Sequence, residues 1–171
     1  MTIFGKSLSE YVRFQKVFLG LILVVGLARL VLSLGGVPNS TVKWLSITAV
    51  ALIGLLYYSV RVHTSGFGSY KHLLPLIVIQ SLLAQAISFV AVAIGVLTSR
   101  DNIFTAPEYS GGGDGKTWLH ANMHLLMGVI VGSLLGWLIG CAIMFITKKV
   151  TAGGKGQEAP KSQGRAAGAG A

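Results

Sequence analysis

The residues best suited to chemistry in this chain are four histidines, because imidazole is the commonest metal ligand in proteins. They fall into two pairs: His63 with His72, and His120 with His124. The first pair flanks a short loop, so its members belong to adjacent antiparallel helices and could clasp a haem b. The second pair is spaced four residues apart and therefore lies on one helical face, a spacing that suits two ligands of one metal ion.

Both pairs also have a simpler interpretation as histidines at a membrane boundary, bonded to lipid head groups and water. The first pair lies at or beyond its helix ends, whereas a haem prefers ligands a turn or more inside the apolar layer. One helix cannot place the second pair on opposite faces of a haem iron, and no acid stands between its members to act as the base of an H-E-x-x-H site. We therefore expect no enzyme and no bound cofactor, with haem b as the alternative.

The clearest pattern in the sequence is a run of glycines that recur every four residues near the C-terminus. They are Gly128, Gly132, Gly136 and Gly140. Small residues at this spacing let membrane helices approach closely. Each step of four drifts by about 40° around a helix of 3.6 residues per turn. A stripe this long predicts two contacts, one within the bundle and one with another chain, in the manner of a glycine zipper.

Composition requires that these residues be positioned inside a membrane. The chain has 171 residues, of which 53% are hydrophobic and only 11% charged, with a mean hydropathy of +0.71. A soluble domain carries about 25% charged residues. The net charge of +9 lies mostly at the ends of apolar runs and in the tail, so we expect the lipid bilayer and not nucleic acid as the partner.

Four apolar runs are long enough to cross a bilayer, which takes about 20 residues of helix. They cover residues 17–35, 44–60, 73–97 and 118–147. These runs are apolar on all faces and longer than the alternating segments of about ten residues that form membrane barrels. The sequence therefore predicts an all-α, four-helix transmembrane domain over residues 1–150, followed by a disordered basic tail over 151–171.

The distribution of Lys and Arg predicts the orientation of the bundle. With both termini in the cytoplasm, ten of these residues flank the spans on the inner side and three on the outer side. The three are Lys43, Arg100 and Lys116. Such a bias places the positive flanks inside. We expect a multi-pass protein of the cell membrane, in particular a bacterial inner membrane.

The segment before the first span predicts a short interfacial helix. Ser7 and Glu10 have the spacing of a capping box that starts a helix, and the alternative is that this segment simply extends the span. Arg29 interrupts the first span, and no acid in any span could pair with it, which argues against a proton relay. Six basic residues are expected to contact lipid head groups: Lys6, Arg13, Lys16, Arg29, Lys148 and Lys149.

The longest connection, residues 98–117, would lie outside. Its segment 101–104, together with Tyr109, is expected either to dock onto a partner or to be mobile. These features together favour a structural or accessory subunit of a larger membrane complex or homo-oligomer, bound to other subunits or copies of itself. The alternative is a haem- or metal-binding electron-transfer subunit, and a small transporter or channel is the third possibility.

Overall fold

The computed structural model describes residues 2–110 and 112–155, and four of its helices are long and apolar enough to cross a membrane. The helices are α1 (Leu8–Leu34), α2 (Asn39–Val42), α3 (Ile47–Thr64), α4 (Tyr70–Thr98), α5 (Trp118–Met123) and α6 (Gly132–Lys155). A π-helical segment, His124–Val131, joins α5 to α6 without a break. The predicted helical bundle is confirmed, with four helices that have the length and apolar composition needed to cross a membrane. We call its two ends the loop end, where residues 98–117 lie, and the terminal end, where α1 begins.

A small β-hairpin precedes α1. Its strands are β1 (Thr2–Ile3) and β2 (Lys6–Ser7). Phe4 and Gly5 form the turn, both with positive φ, at 53° and 84°. Two successive positive φ values are typical of the two-residue turn whose twist matches a hairpin. The Tyr11 hydroxyl donates to the Ile3 carbonyl at 3.0 Å, which fixes the hairpin against α1.

The start of α1 corrects one expectation and confirms another. Ser7 and Glu10 form the predicted capping box, with the Ser7 amide donating to the Glu10 carboxylate at 2.7 Å. The helix that begins there continues without interruption to Leu34, so the structure contains no separate interfacial helix before the first span. The physical reason is that no proline lies between the cap and the apolar run, and helix propagation costs less than a new nucleus.

Helix α4 is the centre of the bundle, since it packs against α1, α3 and the helix formed by α5, the π segment and α6. One apolar cluster lies toward the terminal end and includes Tyr11 and Leu73, and a second lies toward the loop end and includes Ile103. Buried Gln80 donates its amide to buried Gln15 at 2.9 Å and so joins α4 to α1.

The 98–117 loop packs onto its own bundle. Residues 102–106 are all buried, and Ile103 is completely inaccessible. The Asn102 side chain donates to the Ala91 carbonyl at 2.9 Å, and the Ile103 amide donates to the Ser33 hydroxyl at 2.7 Å. The bundle thus buries residues 102–104, while the Asn102 and Phe104 amides donate within the loop, to the Thr105 hydroxyl and the Asn102 side chain. Docking of segment 101–104 with Tyr109 onto a partner stays a prediction.

The predicted tail lies mostly outside the described residues. Residues 151–155 continue α6, so the helix runs past the expected end of the fourth span at 147. Helix α4 also extends past both limits of the third predicted span, whereas α1 exceeds only the N-terminal limit of the first and α3 only the C-terminal limit of the second. These extensions contain the polar turns that flank the apolar runs.

Candidate functional site

The first histidine pair does not present free ligand atoms on both sides. His72 Nδ1 accepts from the Ser69 amide at 3.0 Å, and its Nε2 lies 3.2 Å from the Phe4 carbonyl oxygen. An amide can only donate and a carbonyl can only accept, so this imidazole is neutral, with its proton on Nε2. Both nitrogens of His72 are thus engaged, while His63 Nε2 lies 3.3 Å from the Thr151 hydroxyl. This geometry does not favour a haem between the two.

The second histidine pair is close but incomplete as a metal site. The rings of His120 and His124 lie 4.9 Å apart between centroids. His120 Nδ1 donates to the Gly115 carbonyl at 2.8 Å, and His124 Nδ1 lies 2.8 Å from the Gln85 amide oxygen. Within residues 2–110 and 112–155, no third His, Cys, Asp or Glu joins them to form a metal-binding group. The nearby loop acid Asp101 is instead bound to Lys116, at 2.7 Å.

The glycine stripe is used mainly inside the bundle, and unevenly along its length. A Cβ at Gly140 would meet the Ser59 hydroxyl oxygen at 2.9 Å, and one at Gly136 would meet Ile77 at 3.2 Å. A Cβ at Gly132 would meet nothing within 4 Å. Helices α3 and α6 are therefore in close contact toward the terminal end and separate toward the loop end.

This separation opens an apolar groove, which we call the glycine groove. It has a volume of about 280 Å³, and α4 forms its floor between α3 and the last helix. Its lining residues are Thr48, Ala51, Leu52, Leu55, Ile77, Gln80, Ser81, Gln85, Gly128, Gly132, Leu135, Gly136 and Ile139. The rim residues Leu52, Leu135 and Ile139 are each more than half exposed, so the groove opens sideways out of the bundle.

A second hollow, which we call the polar cavity, adjoins the groove toward the loop end. It has a volume of about 240 Å³. It is lined by Arg29, Ile47, Thr48, Ala51, Ser81, Ala84, Gln85, Ser88, Ile103, Phe104, Tyr109 and His124. Four of these residues, Thr48, Ala51, Ser81 and Gln85, also line the groove. The two hollows thus lie side by side and share part of their lining, one of them polar and the other apolar.

Arg29 occupies the polar end without a counterion. Its Nη1 donates to the Leu45 carbonyl at 3.2 Å, and its guanidinium lies 5.1 Å from the centre of the Phe104 ring. Its Nε is buried and has no hydrogen-bond partner in the described chain. The guanidinium thus lies against Phe104 and Leu45 of its own chain, and contact of Arg29 with lipid head groups stays a prediction.

His124 provides the second buried polar atom of the cavity. While its Nδ1 faces Gln85, its Nε2 is buried and lacks a partner among the described residues. Buried polar atoms are nearly always hydrogen-bonded, and the described chain has four exceptions, of which Arg29 Nε and His124 Nε2 belong to residues that line this cavity. The π segment begins at His124, and π-helical insertions are frequent at functional sites.

The other five basic residues that were predicted to contact lipid head groups lie at the terminal end of the bundle. The ammonium of Lys6 lies 4.5 Å from the Phe67 ring centre, and that of Lys148 lies 4.1 Å from the Tyr70 ring centre. Lys149 lies 4.7 Å from the Phe145 ring centre. Arg13 and Lys16 lie on α1. A hollow of about 730 Å³ also lies here beside His63, and it shares no lining residue with the glycine groove.

Comparison with known proteins adds no assignment: no protein-family model, no curated protein and no solved structure matches this chain. The site is therefore defined by its geometry alone. Arg29 lies in the first predicted span, and His124 and the glycines lie in the fourth, so the sequence alone did not predict that they would line adjoining hollows. The signal that could have joined them was a cation inside a span with no acid in any span to neutralise it.

Proposed function

We propose that this chain is a multi-pass protein of the cell membrane that binds an amphipathic, membrane-dissolved molecule from the side. The polar head of the ligand lies in the polar cavity, and its hydrocarbon chain lies in the glycine groove. The observation that carries this proposal is that the two hollows adjoin and share the lining residues Thr48, Ala51, Ser81 and Gln85. Most small-molecule sites are likewise largely apolar with a few placed polar groups.

The orientation of the site matches that of a lipid in one leaflet. With both termini in the cytoplasm, as the charge bias favours, the polar cavity lies in the outer leaflet. The twelve residue steps from His124 to Gly136 rise roughly 18 Å at the α-helical 1.5 Å per step. Half of a hydrocarbon core of about 30 Å is about 15 Å. The groove therefore follows a chain from head-group depth to the middle of the bilayer.

The proposed role is binding, and it includes no chemical reaction. The possible proton-transfer groups among the described lining residues are His124 and Tyr109, and the lining contains no carboxylate. General acid–base catalysis requires a positioned group within hydrogen-bond reach of the reacting proton and usually a second group that orients it. Gln85, which contacts His124 at 2.8 Å, is neutral and supplies no charge.

The test is to identify what the purified protein carries. The chain is extracted in mild detergent, and bound lipids are quantified by mass spectrometry for the wild type and two variants. Gly132→Trp places a large side chain in the groove at a position where a Cβ meets no other atom within 4 Å. Gly20→Trp is the matched control, because Gly20 lies on the exposed surface of α1 and also has no neighbour within 4 Å.

We expect the wild type and the Gly20→Trp variant to retain one amphiphile in near-stoichiometric amount, and the Gly132→Trp variant to lose it. Equal retention in all three proteins would show that the lipid is bound elsewhere. Absence of any retained amphiphile from the wild type would contradict the proposal outright.

A second candidate function is that of an accessory subunit in a larger complex or homo-oligomer, with haem or metal as the less favoured alternative. The specific observation in its favour is Gly132, the one position in the glycine stripe with no neighbour in the described chain. Close helix contacts in membranes use such small residues. The test is Gly132→Leu: loss of partner or oligomer recovery, with insertion unchanged, would support this function.

A further inference from the structure

The charge of the polar cavity indicates which head group the site would bind, an inference that rests on the proposed function. Arg29 is the one cationic side chain of the lining, and the lining contains no acid. Among the described residues, the ion pairs are Lys6 with Glu10 and Lys116 with Asp101, so Arg29 belongs to none. A cation held away from water without a counterion is strongly unfavourable.

The three acids of the 98–117 loop each contact a group other than Arg29. Asp101 binds Lys116 at 2.7 Å, and the Glu108 carboxylate lies 3.4 Å from the Asn39 side-chain nitrogen. The Asp114 carboxylate accepts from the Lys116 backbone amide at 2.9 Å. The negative charge that would neutralise Arg29 must therefore come from a bound molecule.

Neutral donors around Arg29 indicate what kind of anion fits. The hydroxyls of Thr48, Ser81 and Tyr109 line the same cavity as the guanidinium. Together these groups offer more hydrogen-bond donors than the two oxygens of a carboxylate can use, whereas a phosphate monoester presents three strong acceptor oxygens. The cavity, at about 240 Å³, is smaller than the roughly 300–1,000 Å³ of pockets for drug-sized ligands. A compact head therefore fits better than a large one.

We infer that the site binds a lipid whose head is a phosphate monoester, with the phosphate against Arg29 and its hydrocarbon chain in the glycine groove. Arg is suited to this role because its planar guanidinium presents parallel N–H donors to phosphate oxygens. The guanidinium of Arg29, whose Nη1 donates to the Leu45 carbonyl in the described chain, supplies the donors that the phosphate would contact. His124 lines the same cavity.

The experiment measures head-group selectivity by electron paramagnetic resonance in phosphatidylcholine bilayers. Three probes carry a nitroxide at the same chain carbon: phosphatidic acid, phosphatidylcholine and a free fatty acid. We expect phosphatidic acid to be immobilised at least about tenfold more tightly than phosphatidylcholine, as one charge-assisted hydrogen bond would give. The fatty acid should bind between the two.

Variants separate the cavity from general surface charge. Arg29→Gln should reduce the preference for phosphatidic acid to within about twofold, and Arg29→Lys should retain part of it. Lys43→Gln is the matched control, since it removes the same charge from an exposed site at the same end of the bundle. It should leave the preference unchanged, and an equal loss in this control would overturn the inference.

Other outcomes distinguish this inference from the proposed function. An immobilised population that is lost in Gly132→Trp but shows no head-group preference would overturn the phosphate inference and leave the binding function standing. Fatty acid bound as tightly as phosphatidic acid would likewise overturn it. If the wild type immobilises no probe beyond what Gly132→Trp immobilises, both are refuted. The head-group comparison in the wild type needs no variant, so a misfolded Arg29→Gln protein would not block the test.

Discussion

The distance between α6 and its neighbouring helices differs along the glycine stripe. This difference predicts opposite effects for a Gly→Ala substitution at two positions of α6. At Gly140, an added methyl group would lie 2.9 Å from the Ser59 hydroxyl oxygen and 3.3 Å from Leu55. Ser59 is fully buried and donates to the Leu55 carbonyl at 2.6 Å, so it cannot easily move away. At Gly132, the same methyl group would meet nothing within 4 Å.

The magnitudes follow from two opposing terms. Replacing glycine by alanine in a helix stabilises it by about 1 kcal/mol. Overpacking a tight contact costs about 1–3 kcal/mol. Gly140→Ala should therefore be destabilising by about 0–2 kcal/mol, and Gly132→Ala stabilising by about 1 kcal/mol. The two variants should differ by about 1–3 kcal/mol in their free energy of unfolding.

The assay is urea unfolding in detergent micelles, followed by tryptophan fluorescence. Trp137 is a suitable reporter because its indole donates to the Tyr70 carbonyl at 2.9 Å and links α6 to α4. If the two variants prove equally stable, or Gly132→Ala the less stable, the packing argument is refuted. A destabilisation at Gly132 that grows with protein concentration would instead show that a second copy packs there.

Three further predictions concern other parts of the bundle. A periplasmic reporter enzyme should be active when fused within residues 98–117 and inactive after residue 150, and activity at the latter position would reverse the orientation. The Gln15–Gln80 hydrogen bond should show a coupling of about 0.6–1.7 kcal/mol in a double-alanine cycle of unfolding free energies, and zero coupling would contradict it. Lys116 is hydrogen-bonded to Asp101, and this bond raises the pKa of Lys116 above the ordinary 10.5. The ion pair therefore stabilises the loop fully below pH 10.5 and is lost above the raised pKa. Protease protection of the loop should accordingly be the same at about pH 8 and about pH 9.5 but lower in Asp101→Asn at both, and a decline of the wild type between those values would refute this assignment.

The spans were predictable because hydrophobic length is a property of one continuous segment. Each run has at least the roughly 17 residues that a helix needs to cross a bilayer, and each lies largely within a helix of the structure. The capping box at Ser7 was equally local and is confirmed. The interfacial helix was wrong because sequence periodicity alone does not show whether one helix continues into the next. The packing of the 98–117 loop was not predicted for a related reason. The residues that bond it, Ser33 of α1 and Ala91 of α4, lie in helices outside the loop.

The candidate site could not be predicted, because no single segment contains it. Its polar end combines Arg29 of α1, Gln85 of α4, Tyr109 of the loop and His124 of the π segment. Each of these residues has an ordinary explanation by itself. The π segment was also hidden, since hydrogen bonds from residue i to i+5 leave no mark on an apolar sequence.

The two candidate functions compete for the same surface. Gly132 is open to a partner helix, and it also lines the glycine groove. A helix that packed closely there would fill the space between the rim residues Leu52 and Leu135, where a lipid chain would lie. Binding of ligand and of partner at this face must therefore oppose each other by the same factor in both directions. We expect added phosphatidic acid to dissociate any oligomer held through Gly132, and an oligomer that resists it would place the partner contact on another face of α6.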